Sequence, residues 1–192
     1  MINRQFFFTQ VRTYLFGGTL KQLQVNGLNA ILQEWDDNWA KKDDRWLAYM
    51  LATAHHETDR TMQPIEEYGK GKNRKYGETY KMDGTRYTDT SNLFYGRGYV
   101  QLTWYENYAK AGKKLGQNFL QNPLLVMRPD NASEIMFYGM TEGWFTGRKL
   151  GDYFSESMQD WRNARRIING LDKADLVSGY AQQYYAAISH TV

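Results

Sequence analysis

Apolar residues recur every three or four positions over most of the chain, the spacing that gives an α-helix one buried face. Phe7, Val11, Tyr14 and Leu15 make the first such face, which ends at Gly17-Gly18, where glycine supplies a left-handed cap. A second helix is expected from Thr19, whose hydroxyl pairs with Gln22 in a capping box; it carries Val25, Leu28, Ile31, Leu32 and Trp35 and should pack against the first. Residues 36–44 read as a solvated charged turn whose last member, Asp44, caps a third helix over 45–58. Between Thr61 and Tyr99 the periodicity disappears, and glycine, tyrosine, threonine and arginine take over. A stretch this long without regular structure is usually functional, and Met82-Asp83-Gly84-Thr85 has the turn residues of a short hairpin. Helical spacing resumes over 105–115, 130–145, 157–169 and 173–190.

The pattern predicts a mainly α domain (α+β, with little β structure) holding a central cleft and a glycine- and tyrosine-rich loop region. One domain over 1–192 is expected, with a helix pair in 1–40 packed on a core in 41–192. The formal charge is +3, too small and too dispersed to argue by itself for nucleic acid or a membrane surface. No nucleic acid and no stable membrane insertion are expected, and the run Lys70, Lys72, Arg74 and Lys75 reads as a solvated loop. No segment reaches the roughly eighteen apolar residues of a membrane span, and the opening residues are amphipathic, unlike a signal peptide. Cysteine is absent, which excludes disulfides, thiolate metal sites and a cysteine nucleophile. Aromatic residues make up 16% of the chain, and such rings suit both cores and sugar faces.

Three constellations could carry chemistry. The first is Ala54-His55-His56-Glu57-Thr58 at the end of the third helix. A zinc-protease helix needs a second histidine three positions after the glutamate, where Arg60 stands, so no metal and no cofactor are expected. Glu57 instead reads as a proton donor, because partial burial and the negative end of the helix dipole both favour the neutral acid; the plainer account is a surface carboxylate paired with Arg60 or a lysine. The second constellation, Met62-Gln63-Pro64-Ile65-Glu66-Glu67-Tyr68-Gly69, brings carboxylates soon after Glu57, with Glu78 a further candidate. Two acids flanking one cleft are what glycoside hydrolysis requires. The third runs over 94–104, followed by Glu106-Asn107-Tyr108. It lacks the third glycine of a nucleotide loop; Arg97 is suited to fixing a carboxylate, Gln101, Thr103 and Asn107 to holding water or sugar hydroxyls, and Tyr95, Tyr99 and Trp104 to the core.

Together these pieces resemble the family 19 glycoside hydrolases, the chitinase and endolysin group with a lysozyme-like fold, at the phage end of that family. The family's His-Glu-Thr stands as His56-Glu57-Thr58, its Tyr-Gly-Arg-Gly-x-x-Gln-Leu-Thr as residues 95–103, with Asn107-Tyr108 following, and Ile168-Asn169-Gly170 is similar to a late family element. The resemblance implies that Glu57 is the general acid, that Thr103 positions the hydrolytic water, and that Tyr95, Arg97, Gln101, Asn107 and Asn169 bind substrate. The Met-Gln-Pro-(Ile/Val)-x-Glu pattern of the phage type assigns the base to Glu67, whereas other spacings within the family point to Glu66 or Glu78. Inversion at the anomeric carbon follows, with carboxyls about 6.5–9.5 Å apart. The expected substrate is a β-1,4-linked N-acetylhexosamine polymer, peptidoglycan first and chitin as the alternative. A rival of another class is a glycan-binding or virion structural protein without turnover. A monomer is expected, made in a host cytoplasm and acting on the cell wall after release.

Overall fold

The computed structural model describes residues 2–189 of the 192. Among the described residues six α-helices carry the fold: α1 (Arg4–Tyr14), α2 (Gln22–Glu34), α3 (Asp44–Glu57), α4 (Tyr105–Leu115), α5 (Pro129–Glu142) and α6 (Ala174–Ile188). Among the described residues the strands form two antiparallel pairs, β1 (Ile65–Glu66) with β2 (Arg97–Gly98), and β3 (Phe154–Ser155) with β4 (Met158–Gln159), beside isolated bridges such as Tyr80 with Arg86. The mainly α reading therefore holds.

The centre is α3, whose residues from Leu47 to His55 are all buried. A helix apolar on every side can only be a core helix. Its chief partner is α6, while α1 lies on α6 and α2 on α5. The first two helices thus find their main contacts in the later helices rather than in each other, which departs from the expected pairing. Gly17 and Gly18 cause this: both take positive φ, 63° and 89°, and turn the chain away from α1 before α2 begins.

Three further expectations are corrected. Helix α2 starts later than Thr19, with Gln24 Oε1 accepting from the Lys21 N–H at 2.8 Å, so the capping side chain lies two residues beyond the anticipated Gln22. The cap of α3 is Asp43, which accepts from the Arg45 N–H at 2.9 Å, and Asp44 is the first helical residue. The third concerns 157–169, where no α-helix forms. A hairpin with Glu156-Ser157 at its tip is followed by a 3-10 helix, Asn163–Ile167. The reason is in the spacing: Trp161, Ala164 and Ile167 are buried three apart, the repeat of a three-residue turn. Arg45 secures the hairpin by donating to the carbonyls of Ser155 and Met158 at 2.9 and 3.1 Å. Part of the expected 36–44 turn is a π-helical turn, Trp35–Trp39, with the Trp39 indole donating to Glu34 at 2.9 Å. His190, in the last expected helix, lies outside the described residues.

The 61–99 region is irregular, as its composition predicts, and a turn does form at its tip, where Lys81 N–H donates to the Thr85 carbonyl at 2.8 Å. The β1–β2 pair ties its two ends together, with Glu66 opposite Arg97 and Ile65 opposite Gly98.

Candidate active site

Glu57 is the last residue of α3, and the backbone beyond it is tightly fixed. Thr58 Oγ1 donates back to the Ala54 carbonyl at 2.7 Å and accepts from the Met62 N–H at 3.1 Å. Asp59, Arg60 and Met62 take positive φ of 50°, 65° and 54°, a conformation that costs a non-glycine residue of order 1–3 kcal/mol. Gly27 of α2 permits this turn: a Cβ there would lie 1.6 Å from the Met62 carbonyl oxygen. The exit from the helix is therefore held by packing and bonding, and Glu57 with it.

Glu57 opens into a cavity of about 440 Å³ whose wall also includes Gln101, Thr103, Trp104, Asn107, Phe145 and Asn169. Five residues singled out in the sequence, Glu57, Gln101, Thr103, Asn107 and Asn169, thus share one cleft although they span more than a hundred positions. Trp104, expected in the core, is half-buried and faces it instead. Gln101 and Trp104 hold positive φ of 52° and 75° on either side of Thr103, so the second wall is strained like the first. Two bonds set this loop: Gln101 Nε2 donates to the Ile65 carbonyl at 3.1 Å, and Asn107 Nδ2 to the Thr103 carbonyl at 2.9 Å.

The residue that sequence reasoning missed is Arg165. Its guanidinium is 3% exposed and donates through Nη1 to Glu57 Oε1 at 2.7 Å, while Nε donates to the Asp172 carbonyl at 3.0 Å. A fixed positive charge there stabilises the anion that Glu57 becomes once it has given up a proton. The anticipated partner of a surface Glu57, Arg60, instead donates to the Leu15 carbonyl at 3.1 Å. Adjacent Arg165 and Arg166 look alike in sequence, and in the 3-10 helix the first is buried while the second is exposed. His56, beside Glu57, is pushed down from the ordinary histidine range chiefly by burial, so the neutral ring is favoured next to the acid.

The two following glutamates diverge, as neighbours on an extended strand must. Glu66 Oε1 accepts from the Tyr95 hydroxyl at 2.6 Å and from Arg97 Nε at 2.9 Å. These donors, the Tyr95 hydroxyl foremost, hold its carboxyl below the usual range. Arg97, buried under the Tyr95 ring and bonded to the Tyr108 hydroxyl at 3.0 Å, does fix a carboxylate, but it is the protein's own. Tyr95 and Arg97, expected to bind substrate, are not part of the cleft wall and instead pin β1 to β2. Glu67 turns the other way. Its Oε1 accepts from the Gly71 N–H and its Oε2 from the Gly96 N–H, both at 2.8 Å. At Gly96 a Cβ would come within 2.8 Å of Glu67 Oε2 and 2.9 Å of Gln101 Oε1, so Glu67 abuts a cleft-lining residue across a glycine. Glu78 is solvent-exposed beyond this loop.

Beside the cleft, residues 69–77 form a compact loop. Gly71 and Gly77 meet so closely that a Cβ on Gly71 would lie 2.4 Å from the Gly77 Cα. Tyr76 packs edge-on against Trp104, ring centroids 5.6 Å apart.

Comparison with solved structures identifies the fold. Chitinase C from Streptomyces griseus matches with a TM-score of 0.62 at 21% identity, covering 99% of this chain and 77% of that one. The family 19 class IV chitinase of Zea mays matches with a TM-score of 0.55 at 19% identity, covering 90% and 83%. Among curated sequences, an acidic endochitinase of Dioscorea japonica is 30% identical over 154 residues, 75% of this chain and 57% of the relative. An endochitinase of Arabidopsis thaliana is 36% identical over 100 residues, 52% of this chain and 32% of the relative. The matched stretches thus span from about a third to just over half of these relatives. The family model described as chitinase class I matches residues 27–150, and the chain belongs to that family, glycoside hydrolase family 19.

Proposed function

We propose that the chain hydrolyses β-1,4 links between N-acetylhexosamines, with chitin the substrate favoured by the names of its relatives. The observation that carries this reading is the convergence of Glu57, Gln101, Thr103, Asn107 and Asn169 on one cleft. In this mechanism Glu57 protonates the departing glycosidic oxygen, and the resulting carboxylate is met by Arg165 at 2.7 Å. Glu67, oriented by two backbone N–H groups, serves as the base, and Thr103 positions the water that attacks the opposite face of the sugar. Gln101, Asn107 and Asn169 supply amides to the sugar hydroxyl and acetamido groups. The side-chain bonds of Glu66 to Tyr95 and Arg97 favour Glu67 over it as the base.

The test is release of new reducing ends from chitin oligomers by wild type, Glu57→Gln, Glu67→Gln and Glu66→Gln, with the anomer of the first product read by NMR. Losses of roughly 10²-fold or more are expected for the first two variants, with the inverted anomer as product. Wild-type turnover by Glu57→Gln would end the proposal. A second reading, peptidoglycan cleavage by an endolysin acting on the wall after release, is favoured by the cations of the 69–77 loop; turnover of muropeptide strands against chitin oligomers separates the two.

A further inference from the structure

Loop 69–77 carries Lys70, Lys72, Arg74 and Lys75, and the acid–base chemistry uses none of them. Lys70 reaches Glu66 at 3.4 Å, whereas Lys72, Arg74 and Lys75 are exposed and have no ion-pair partner among the described residues. A run of lysines is ordinarily a solvated surface. Two features set this one apart.

The first is rigidity. Lys70, Gly71 and Asn73 all take positive φ, 45°, 75° and 63°, so two non-glycine residues hold a conformation that the surroundings must impose. Those surroundings are the Glu67 carboxylate on the Gly71 N–H, the Arg74 N–H on the Gly71 carbonyl at 2.9 Å, and the Gly77 N–H on the Arg74 carbonyl at 2.9 Å. The second is position. Glu67, at the root of the loop, adjoins Gln101, and Tyr76, near its end, touches Trp104; both Gln101 and Trp104 line the cleft. Three cations without ion-pair partners among the described residues are therefore held on a preformed loop beside the cleft.

We infer that this loop is a binding site for carboxylate groups carried by a glycan strand, so that an aminosugar polymer bearing acidic groups is bound more tightly than neutral chitin, which the cleft accommodates without the loop's help. The inference builds on the proposed glycan reading of the cleft and names the substrate class. Unsubstituted chitin carries no anion for these cations to meet. A strand bearing acidic substituents along its length places charges beside the cleft whenever a sugar occupies it, and the loop raises its local concentration.

The test uses two soluble polymers, neutral glycol chitin and anionic carboxymethyl chitin, measuring both kcat/KM and affinity in native gels. The combined variant Lys72→Gln/Arg74→Gln/Lys75→Gln is expected to lose roughly tenfold in kcat/KM on the anionic polymer at low salt, through KM. It should stay within about twofold of wild type on the neutral one. The charge-preserving variant Lys72→Arg/Arg74→Lys/Lys75→Arg should behave as wild type. Raising ionic strength, which shortens the screening length from about 30 Å at 0.01 M to about 3 Å at 1 M, should erase the wild-type preference. Equal loss on both polymers, or loss on neither, overturns the inference. So does salt-sensitive binding of a DNA oligonucleotide that vanishes in the glutamine variant while its affinity for carboxymethyl chitin is kept. If wild type cleaves neither polymer, the hydrolytic reading alone fails, and the ratio of the two affinities still decides the loop.

Discussion

Replacing Arg165 by methionine removes the charge that faces Glu57 while keeping most of the buried volume. The magnitude follows from the geometry: the two side chains are 3% and 17% exposed and meet at 2.7 Å. Charge centres about 4 Å apart attract by about 4 kcal/mol at an effective dielectric near 20. The residual exposure of Glu57 and the cost of desolvation reduce this to the range of a charge-assisted hydrogen bond, about 2–3 kcal/mol. The single substitution should cost more, about 3–5 kcal/mol, because it leaves a half-buried carboxylate unpartnered and the Asp172 carbonyl without its 3.0 Å donor. A double-mutant cycle of Arg165→Met and Glu57→Gln, read by urea unfolding at neutral pH with tryptophan fluorescence, isolates the pairwise part. Glu57→Gln should relieve most of the damage done by Arg165→Met. A coupling energy under about 0.5 kcal/mol would refute the claim that this pair fixes the acid, since exposed pairs of no consequence reach that value.

Other outcomes follow from the same structure. His55 is fully buried, bonded to the Tyr184 hydroxyl at 2.9 Å, and burial pushes its imidazole down to about 3. The unfolded chain takes up a proton on this residue below pH ~6.5 and the native state does not, so its contribution is complete above that pH and falls as the pH drops toward 3, by up to about 1.4 kcal/mol per unit. Unfolding free energies at pH 7 and pH 5 should therefore differ less in His55→Gln than in wild type, and equal differences would contradict the reading. Gly27→Ala places a methyl against the Met62 carbonyl and should cost several kcal/mol, seen as a thermal midpoint lowered by ten degrees or more on the order-of-magnitude scale for this size; an unchanged midpoint would mean that the turn below Glu57 is not held by this contact. Trp104→Ala removes a cleft wall and the support for Tyr76, so KM for chitin oligomers should rise more than kcat falls.

Most helices were legible because their apolar faces are long and regular: α4 begins and ends where its spacing predicts, and α3 is displaced by one residue at each end. The failure at 157–169 came from reading a three-residue repeat as the 3.6-residue one, two periods that differ little over seven positions. The candidate site divided along a similar line. Residues on the cleft wall belong to short local motifs: Glu57, Gln101, Thr103 and Asn107 stand out there as polar groups suited to glycan chemistry, and Asn169 is named by the family resemblance. Tyr95 and Arg97 belong to the same motif, and nothing in its spacing tells a side chain that lines the cleft from one that braces the strand beneath it. Arg165 was hidden for another reason, since pairing between residues so far apart leaves no local trace.

The partner of Glu57 lies 108 residues downstream, in the stretch between the second hairpin and the final helix. A ribosome-bound chain that already displays α3 and the whole irregular region still lacks the guanidinium, and the acid it carries stands without its counter-charge. The pair at the cleft is thus assembled only after Arg165 has been added. A product cut short before Arg165 is expected to lose the proposed hydrolysis of glycan, however well its earlier helices form, which release of reducing ends from such a fragment would check.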